Sequence, residues 1–372
     1  GVRQRARDYF RWAQLNPPPG DPEAMAFDEL SDDAIQDIEA LLKQFQEPVL
    51  APYLAQTSDE LRRRREKQTL GGIGRVWSPP SDDHAIVDHP DLLRDVDHLY
   101  ELLNAPRPKS VLLCGEHGSG KTTLVDRLFA RLHAEDWLLF EASAAEVLAG
   151  QTYSGELEAR IRDLLAALDR KRALWRVQDF FDLLHKGSHK QDPRGILDLL
   201  LPAMERGRLL MLGEMTPQQS AQLLLARPVL RHHAEIATLR SLDDAAMREV
   251  LTRWASAREA ALGRPAIEAR TLDEAQRMAA QYFPEQHEPG RTLRLLDETL
   301  RSALSDDPPR LPLNHESLLR AIALRSGLPL DVLDDRQSLN LEHLRAFFRK
   351  RVIGQDEAVE CLVDRIAMLK AG

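Results

Sequence analysis

The sequence predicts an α/β protein: a mostly parallel sheet flanked by helices, with a helical region before it and another after it. Three observations lead there. From about residue 85, short apolar runs alternate with amphipathic stretches, the pattern of strands joined by crossover helices. One such run, "SVLLCG", enters the glycine loop "GEHGSGKTT" (residues 115–123), and "KTTLVDRLFARLH" reads as the helix that follows. Beyond Ser241 the strand signal fades, and helical patterns dominate to about residue 330, broken by "SDDPPRLP".

Residues 1–80 read as a helical N-terminal region cut by breakers. "NPPPGDP" cannot continue a helix, because successive prolines lack N–H donors and clash with the preceding turn. After it, Ser31 can cap a helix whose one face carries Ile35, Ile38, Leu41, Leu42 and Phe45. The run Arg62–Arg65, flanked by Glu60 and Glu66, reads as a solvated helix face. "GGIG" and "SPP" within residues 71–80 read as a linker. Later, "DWLLFEA", "ALWRVQDFF" and "RLLMLG" are strand candidates, and a helix from Glu156 places Leu157, Ile161, Leu164, Leu165 and Leu168 on one side. Arg176 is out of place in that pattern, since a central parallel strand is buried on both faces. Phe180 and Phe181 read as core.

Composition narrows the function classes. The 372 residues are 29% charged and 43% apolar, ordinary for a soluble globular protein of two or three domains. No apolar run approaches the ~18–20 residues that span a bilayer, so no membrane partner is expected. A net charge of −9 gives no overall electrostatic footprint for nucleic acid. Cys114 and Cys361 are too few for a disulfide framework or metal cluster, which points to a reducing cytoplasm. The chain starts at Gly1 and stops at "MLKAG", and we expect a fragment of a longer protein.

The glycine loop satisfies G-x-x-x-x-G-K-[ST] after a strand and at the opening of a helix. Gly115, Glu116, His117, Gly118, Ser119 and Gly120 let successive N–H groups turn inward, where the helix N-terminus adds its positive dipole. Lys121 is expected to reach the outer phosphates, Thr122 to offer a hydroxyl to Mg²⁺, and Thr123 to complete the cradle. The expected ligands are ATP or ADP with Mg²⁺. Small-molecule kinases, GTPases and ring ATPases all share this loop.

Other segments choose among them. "GQTYSGELEARIRDLL" resembles the pore-loop segment of Clp-type AAA+ unfoldases, and "ERGRLLMLGEMTPQQSAQLLLARPVLRHHAEI" resembles their sensor strand and the approach to their arginine fingers. "RSGLPLDVL" resembles the linker out of their helical lid, and "RVIGQDEAVECLVDRIAMLKAG" resembles the opening of a second ATPase module. A decayed copy of that opening, "AIVDHPDLLRDVDHLYELL", precedes the first loop. The chain thus resembles the first AAA+ module of a two-ring ClpA/ClpB/ClpC-like unfoldase over roughly residues 85–372, and without a coiled-coil insertion its layout is more like ClpA. The resemblance implies a large α/β subdomain at 81–240, a helical lid at 241–332, and a linker with the start of the second module at 333–372.

It also implies site residues, several of them altered. The metal-assisting Asp and water-activating Glu align with Gln178 and Asp179; sliding by one makes Asp179 the metal partner and puts Phe180 in place of the base. Thr216 keeps the polar sensor position, while Glu214 and Met215 depart from the pattern. The paired trans-acting arginines align with His232 and His233, which are largely neutral at pH 7 and supply no permanent cation. As metal ligands the two histidines are disfavoured, because helix neighbours point about 100° apart. Tyr153 takes the position that grips a threaded, unfolded polypeptide. Pro289 and Arg291 take lid positions near base and phosphate, with Gly290 where the family has an acid. Ile86 and Val87 match adenine contacts, followed by Asp88 and His89 instead of glycine and arginine.

The expected function is the ATP-binding first ring of a Clp-like chaperone that supports hexamer assembly and threading, with weak hydrolysis here. The alternative is a nucleotide-dependent scaffold whose residues 1–80 bind an adaptor.

Overall fold

The computed structural model describes residues 27, 30–45, 48–79, 88–150, 154–188, 194–334, 336 and 338–371. Among the described residues two helices come first, α1 (Asp32–Phe45) and α2 (Ala51–Gly71), with a 3₁₀ turn at Pro48–Leu50 between them. Ser31 does cap α1, its hydroxyl accepting the Ala34 N–H at 3.2 Å. The predicted apolar face is only partly covered: Ile35 is buried, whereas Leu41 lies on the exposed side. The basic run is not wholly solvated either. Arg64 donates to the carbonyls of Phe27 and Leu30 and pairs with Asp32 and Glu60, so it fastens the entry of α1 to α2.

The expected linker at 71–80 contains a strand, β1 (Arg75–Val76), which the sequence signal missed because only two residues pair. The chain then continues through α3 (Pro90–Leu103), β2 (Ser110–Cys114), α4 (Lys121–His133), β3 (Leu138–Glu141), α5 (Ala144–Leu148) and α6 (Ser154–Leu168). Next come β4 (Ala173–Val177), α7 (Asp182–His185), α8 (Ile196–Glu205), β5 (Met211–Met215), α9 (Pro217–Ala226), α10 (Leu230–His233) and β6 (Ala234–Thr238). The helices α11 (Asp244–Leu262), α12 (Ala269–Tyr282), α13 (Gly290–Ser305), α14 (His315–Ser326), α15 (Leu330–Leu333), α16 (Leu341–Arg349) and α17 (Asp356–Ala371) complete it.

Among the described residues six strands form one sheet in the order β1-β3-β4-β5-β2-β6, antiparallel at β1 and parallel elsewhere. The α/β class predicted from alternation is the one adopted. Strand β6 escaped sequence reading because "AEIAT" is short, mixed in polarity and only half-buried along most of its length. One face of the sheet packs Phe140, Trp175, Val177 and Phe180 against α6 and α8. The other packs Val111, Leu113, Leu174 and Leu212 against α3 and α4. Full burial of each large apolar side chain contributes about 1.5–3 kcal/mol, which makes these layers the main stabilising mass. A separate core gathers α11–α14 around Trp254, Leu295, Leu296 and Ile322.

Candidate nucleotide site

All five residues of β2 are buried, and β2 lies between β5 and β6. Both neighbours continue past its end: Gly115 N–H donates to the Met215 carbonyl at 3.0 Å, and Leu239 N–H to the Cys114 carbonyl at 2.9 Å. The glycine loop therefore leaves from a fixed point. Gly118 and Gly120 then hold φ of 91° and 92°, a region costly for residues with a Cβ, and Gly120 is the residue before α4. This curl points the chain into the N-terminus of α4, the geometry suited to phosphate. Lys121 Nζ donates to the Gly115 and Glu116 carbonyls at 2.7 and 2.9 Å, folded back on its own loop. Burial draws its pKa below the ordinary lysine value, opposed by the carboxylates of Glu214 and Glu116. Ser119 Oγ is buried without a hydrogen-bond partner among the described residues, and the Thr122 side chain stands exposed on the first turn.

A cavity of about 1410 Å³ opens beside the loop. Ser119, Gly120 and Thr123 form its floor, His89 and Trp254 its walls, and Pro289 reaches it from the helical unit. Small-molecule sites usually occupy ~300–1,000 Å³, so a nucleotide fits here with room to spare. The exposed Thr122 hydroxyl and the exposed carboxylate of Asp179, one of the charges acting on Lys121, are oxygen donors of the kind Mg²⁺ takes. The residues present fit both groups.

Gln178 and Asp179 follow β4 on its exposed end. Phe180 is fully buried, with its ring beneath Gly213, where a Cβ would come within 2.4 Å of Phe180 Cδ2. The shifted register therefore offers a core phenyl ring, not a base. Thr216 ends β5, but its hydroxyl accepts the Gln219 N–H at 3.3 Å and serves as cap of α9. His232 and His233 lie in α10, their rings 6.4 Å apart, with His232 exposed and His233 half-buried. Tyr153, Ile86 and Val87 lie outside the described residues.

Two departures noted in the sequence explain each other. Arg176, only 3% exposed, extends Nε to Glu214 Oε1 at 2.8 Å and Nη1 to Glu141 Oε1 at 2.7 Å, with Asp126 at 3.7 Å. Burial works against its charge, but Glu214 and Glu141 outweigh it and keep it protonated. Burial likewise raises the pKa of Glu214, against the pull of Arg176 and Lys121. The only sequence signal for this pair was two opposite charges in runs that otherwise read as buried strands.

Asp88 and His89 have local roles too. Asp88 accepts from Arg127 of α4 at 2.7 Å. His89 Nδ1 accepts the Leu92 N–H at 3.3 Å and caps α3. Burial lowers the His89 pKa, against the pull of Glu249 and Asp95. An unfolded chain takes up this proton near pH ~6.5, the folded one at lower pH. The neutral cap therefore contributes fully above pH ~6.5, and its contribution is lost as pH falls through the folded pKa. We predict that from about pH 7.5 to about pH 5.5 the melting temperature falls more for wild type than for His89→Asn, which caps without titrating.

The helical unit grips the loop through backbone hydrogen bonds. His287 N–H donates to the His117 carbonyl at 3.0 Å, and Gly290 N–H to the Gly118 carbonyl at 2.9 Å. A Cβ on Gly290 would lie 2.7 Å from the Gly118 oxygen and 2.8 Å from its Cα, so the family's acid has no room. Arg291 does not line the cavity; its Nε is 2.8 Å from Glu288 Oε1. Gly290→Ala is expected to lift this contact, cost about 1–3 kcal/mol, and speed amide exchange across residues 287–291. Calorimetry and hydrogen–deuterium exchange read both effects.

Comparison with known proteins agrees with this geometry. Residues 91–358 match the AAA ATPase domain family. The chaperone protein ClpB of Mycoplasma pneumoniae is 24% identical over 233 residues, 58% of this chain and 32% of that protein. The probable ATP-dependent Clp protease ATP-binding subunit of Chlamydia pneumoniae is 25% identical over 350 residues, 75% of this chain and 41% of its own length. The structure of the Saccharomyces cerevisiae Hsp104–ADP complex shares the fold with a TM-score of 0.57 at 19% identity, covering 79% of this chain and 52% of that one. The chain thus spans only about a third of the first of these relatives and two-fifths of the second. With the family's region covering most of its length and the phosphate loop at the end of a central parallel strand, the chain belongs to the AAA ATPase domain family, distantly related to the Clp chaperones.

Proposed function

We propose that this chain is the ATP-binding first ring of a Clp-like AAA+ unfoldase, supporting hexamer assembly and polypeptide threading while hydrolysing weakly at this site. The observation that carries the reading is the asymmetry of the site. The cradle is complete, with two left-handed glycines, Lys121 at the helix start and Thr122 exposed beside it. The groups that would drive cleavage are altered: Gln178 is neutral, Asp179 is one methylene shorter than Glu, and His232 and His233 stand at the trans positions.

When bound, nucleotide with Mg²⁺ supplies the triphosphate and the cation. The chain's own residues do the holding. The curled loop presents its amides, Lys121 leaves its loop carbonyls for phosphate, and Pro289 closes the cavity from the helical side. Loss of a trans arginine alone costs ~10³–10⁵ in rate in related phosphoryl transfers, which is why binding survives here and turnover does not.

In this reading residues 81–240 are the large subdomain, 241–332 the lid and 333–372 the linker with the start of a second ring, which generates the force. Tyr153 grips the unfolded substrate, Ile86 and Val87 flank adenine, and the protein works in the cytoplasm. Among the described residues, no helix is long and apolar enough to cross a membrane. One feature favours the scaffold alternative: α2 packs on α6 and contributes Leu70 to the main core, leaving α1 with Leu41 outward as a docking face for an adaptor.

Nucleotide titration and phosphate release, on this chain and on Lys121→Ala, separate holding from cutting. Wild type is expected to bind ATP and ADP, Lys121→Ala to lose that binding, and both to show turnover near background. Hydrolysis that is rapid and Lys121-dependent overturns the weak-site reading. In the full-length protein, Tyr153→Ala is expected to slow translocation of an unfolded substrate, and an unchanged rate favours the scaffold.

A further inference from the structure

The buried pair Arg176–Glu214 lies under the phosphate loop, on the face of the sheet that α4 covers. The Arg176 guanidinium sits 5.9 Å from the centre of the Phe129 ring and 3.7 Å from Asp126, both on α4. Alternation along each strand puts Gln178 on the same side of β4 as Arg176, and Thr216 on the same side of β5 as Glu214. Glu214 is level with Leu113 of β2, two residues before the loop begins. It is 4% exposed, a depth at which a carboxylate is costly unless its charge is used or paired.

The pairing is one-sided. Both guanidinium contacts, from Nε and Nη2, fall on Glu214 Oε1 at 2.8 Å. Among the described residues Oε2 accepts no hydrogen bond, and Lys121 spends its bonds on its own loop carbonyls. A carboxylate oxygen that takes no hydrogen bond thus sits on the strand between β2 and β4. Meanwhile the position on β4 that would offer a carboxylate to Mg²⁺ holds Gln178.

We propose that Glu214 supplies from β5 the negative charge that Gln178 does not supply from β4, holding Mg²⁺–nucleotide through the metal's outer shell, with Arg176 as the residue that positions it. This rests on the nucleotide-binding reading and assigns the site's metal selectivity to a different strand. The β4–β5 register, with Val177 opposite Gly213, sets Glu214 beside Gln178 and one step short of the water-activating position, so it stabilises the bound cation without replacing that group. A site built this way holds Mg²⁺–ATP and still cuts it slowly.

The test compares ATP and ADP affinity with Mg²⁺ and with EDTA, read by a fluorescent nucleotide analogue, alongside thermal melting. In wild type Mg²⁺ is expected to tighten ATP binding. Glu214→Gln keeps the shape but removes the charge, and is expected to lose about 10–100-fold of that Mg²⁺-dependent gain while leaving affinity in EDTA near the wild-type value. The double variant R176M/E214L replaces the pair by apolar groups; Glu141 keeps Arg75 as its partner and Asp126 is partly exposed, so the variant is expected to stay folded, which its melting curve checks. It should nevertheless lose the same Mg²⁺ gain. Adding Gln178→Asp to Glu214→Gln should restore part of it. If both folded variants keep the wild-type ratio of affinities, the pair is structural and the proposal is overturned. If wild type binds no nucleotide under either condition, the nucleotide reading itself fails, and this inference with it.

Discussion

A loop that turns its amides toward an anion cannot also satisfy them with its own carbonyls, so its shape has to be imposed from outside. Here the imposing element is β2, buried along its whole length and hydrogen-bonded on both edges, through Met215 and Leu239, as far as the first glycine. From that anchored end the chain reverses through Gly118 and Gly120 into α4. Everything else at the site is set by this one exit point. The cavity lies where the loop, α3 and the helical unit meet, and the backbone bonds from His287 and Gly290 attach that unit to the loop itself.

Charge below the loop is the second constraint. A guanidinium inside a parallel sheet is tolerated only with close counter-charges, because the cost of desolvating an unpaired ion is comparable with the stability of a whole domain. Glu214, Glu141 and Asp126 surround Arg176 from two neighbouring strands and from α4, and burial raises the pKa of both Glu214 and Asp126. The cluster joins β3, β4, β5 and α4 into one electrostatic unit beneath the phosphates. Arg on β4 and Glu on β5 would each be costly alone and are tolerated together.

Much of the fold was legible because its signals are local. Apolar runs of five or so residues, a glycine loop between strand and helix, and helical periodicity each depend on nearby residues alone. The misses have physical causes of the same kind. Strand β1 pairs for two residues and β6 is half-exposed, so neither builds an apolar run. Leu41 looked like a core position by periodicity, but among the described residues no element covers that side of α1. Arg64 looked solvated by composition, yet carbonyls of a distant segment, at Phe27 and Leu30, claim its guanidinium.

By itself the sequence determined the α/β class and the position and chemistry of the phosphate loop, since both follow from residue type and spacing along one chain. Only the tertiary structure decided that Arg176 and Glu214 are partners, that Thr216 spends its hydroxyl on a helix cap, and that Gly290 is required by contact with Gly118. The first and the last are contacts set by how strands and helices stack, across 38 residues in one case and from the helical unit in the other, and leave no trace in local pattern. The cap spans only three residues, but the fold decides that α9 starts there.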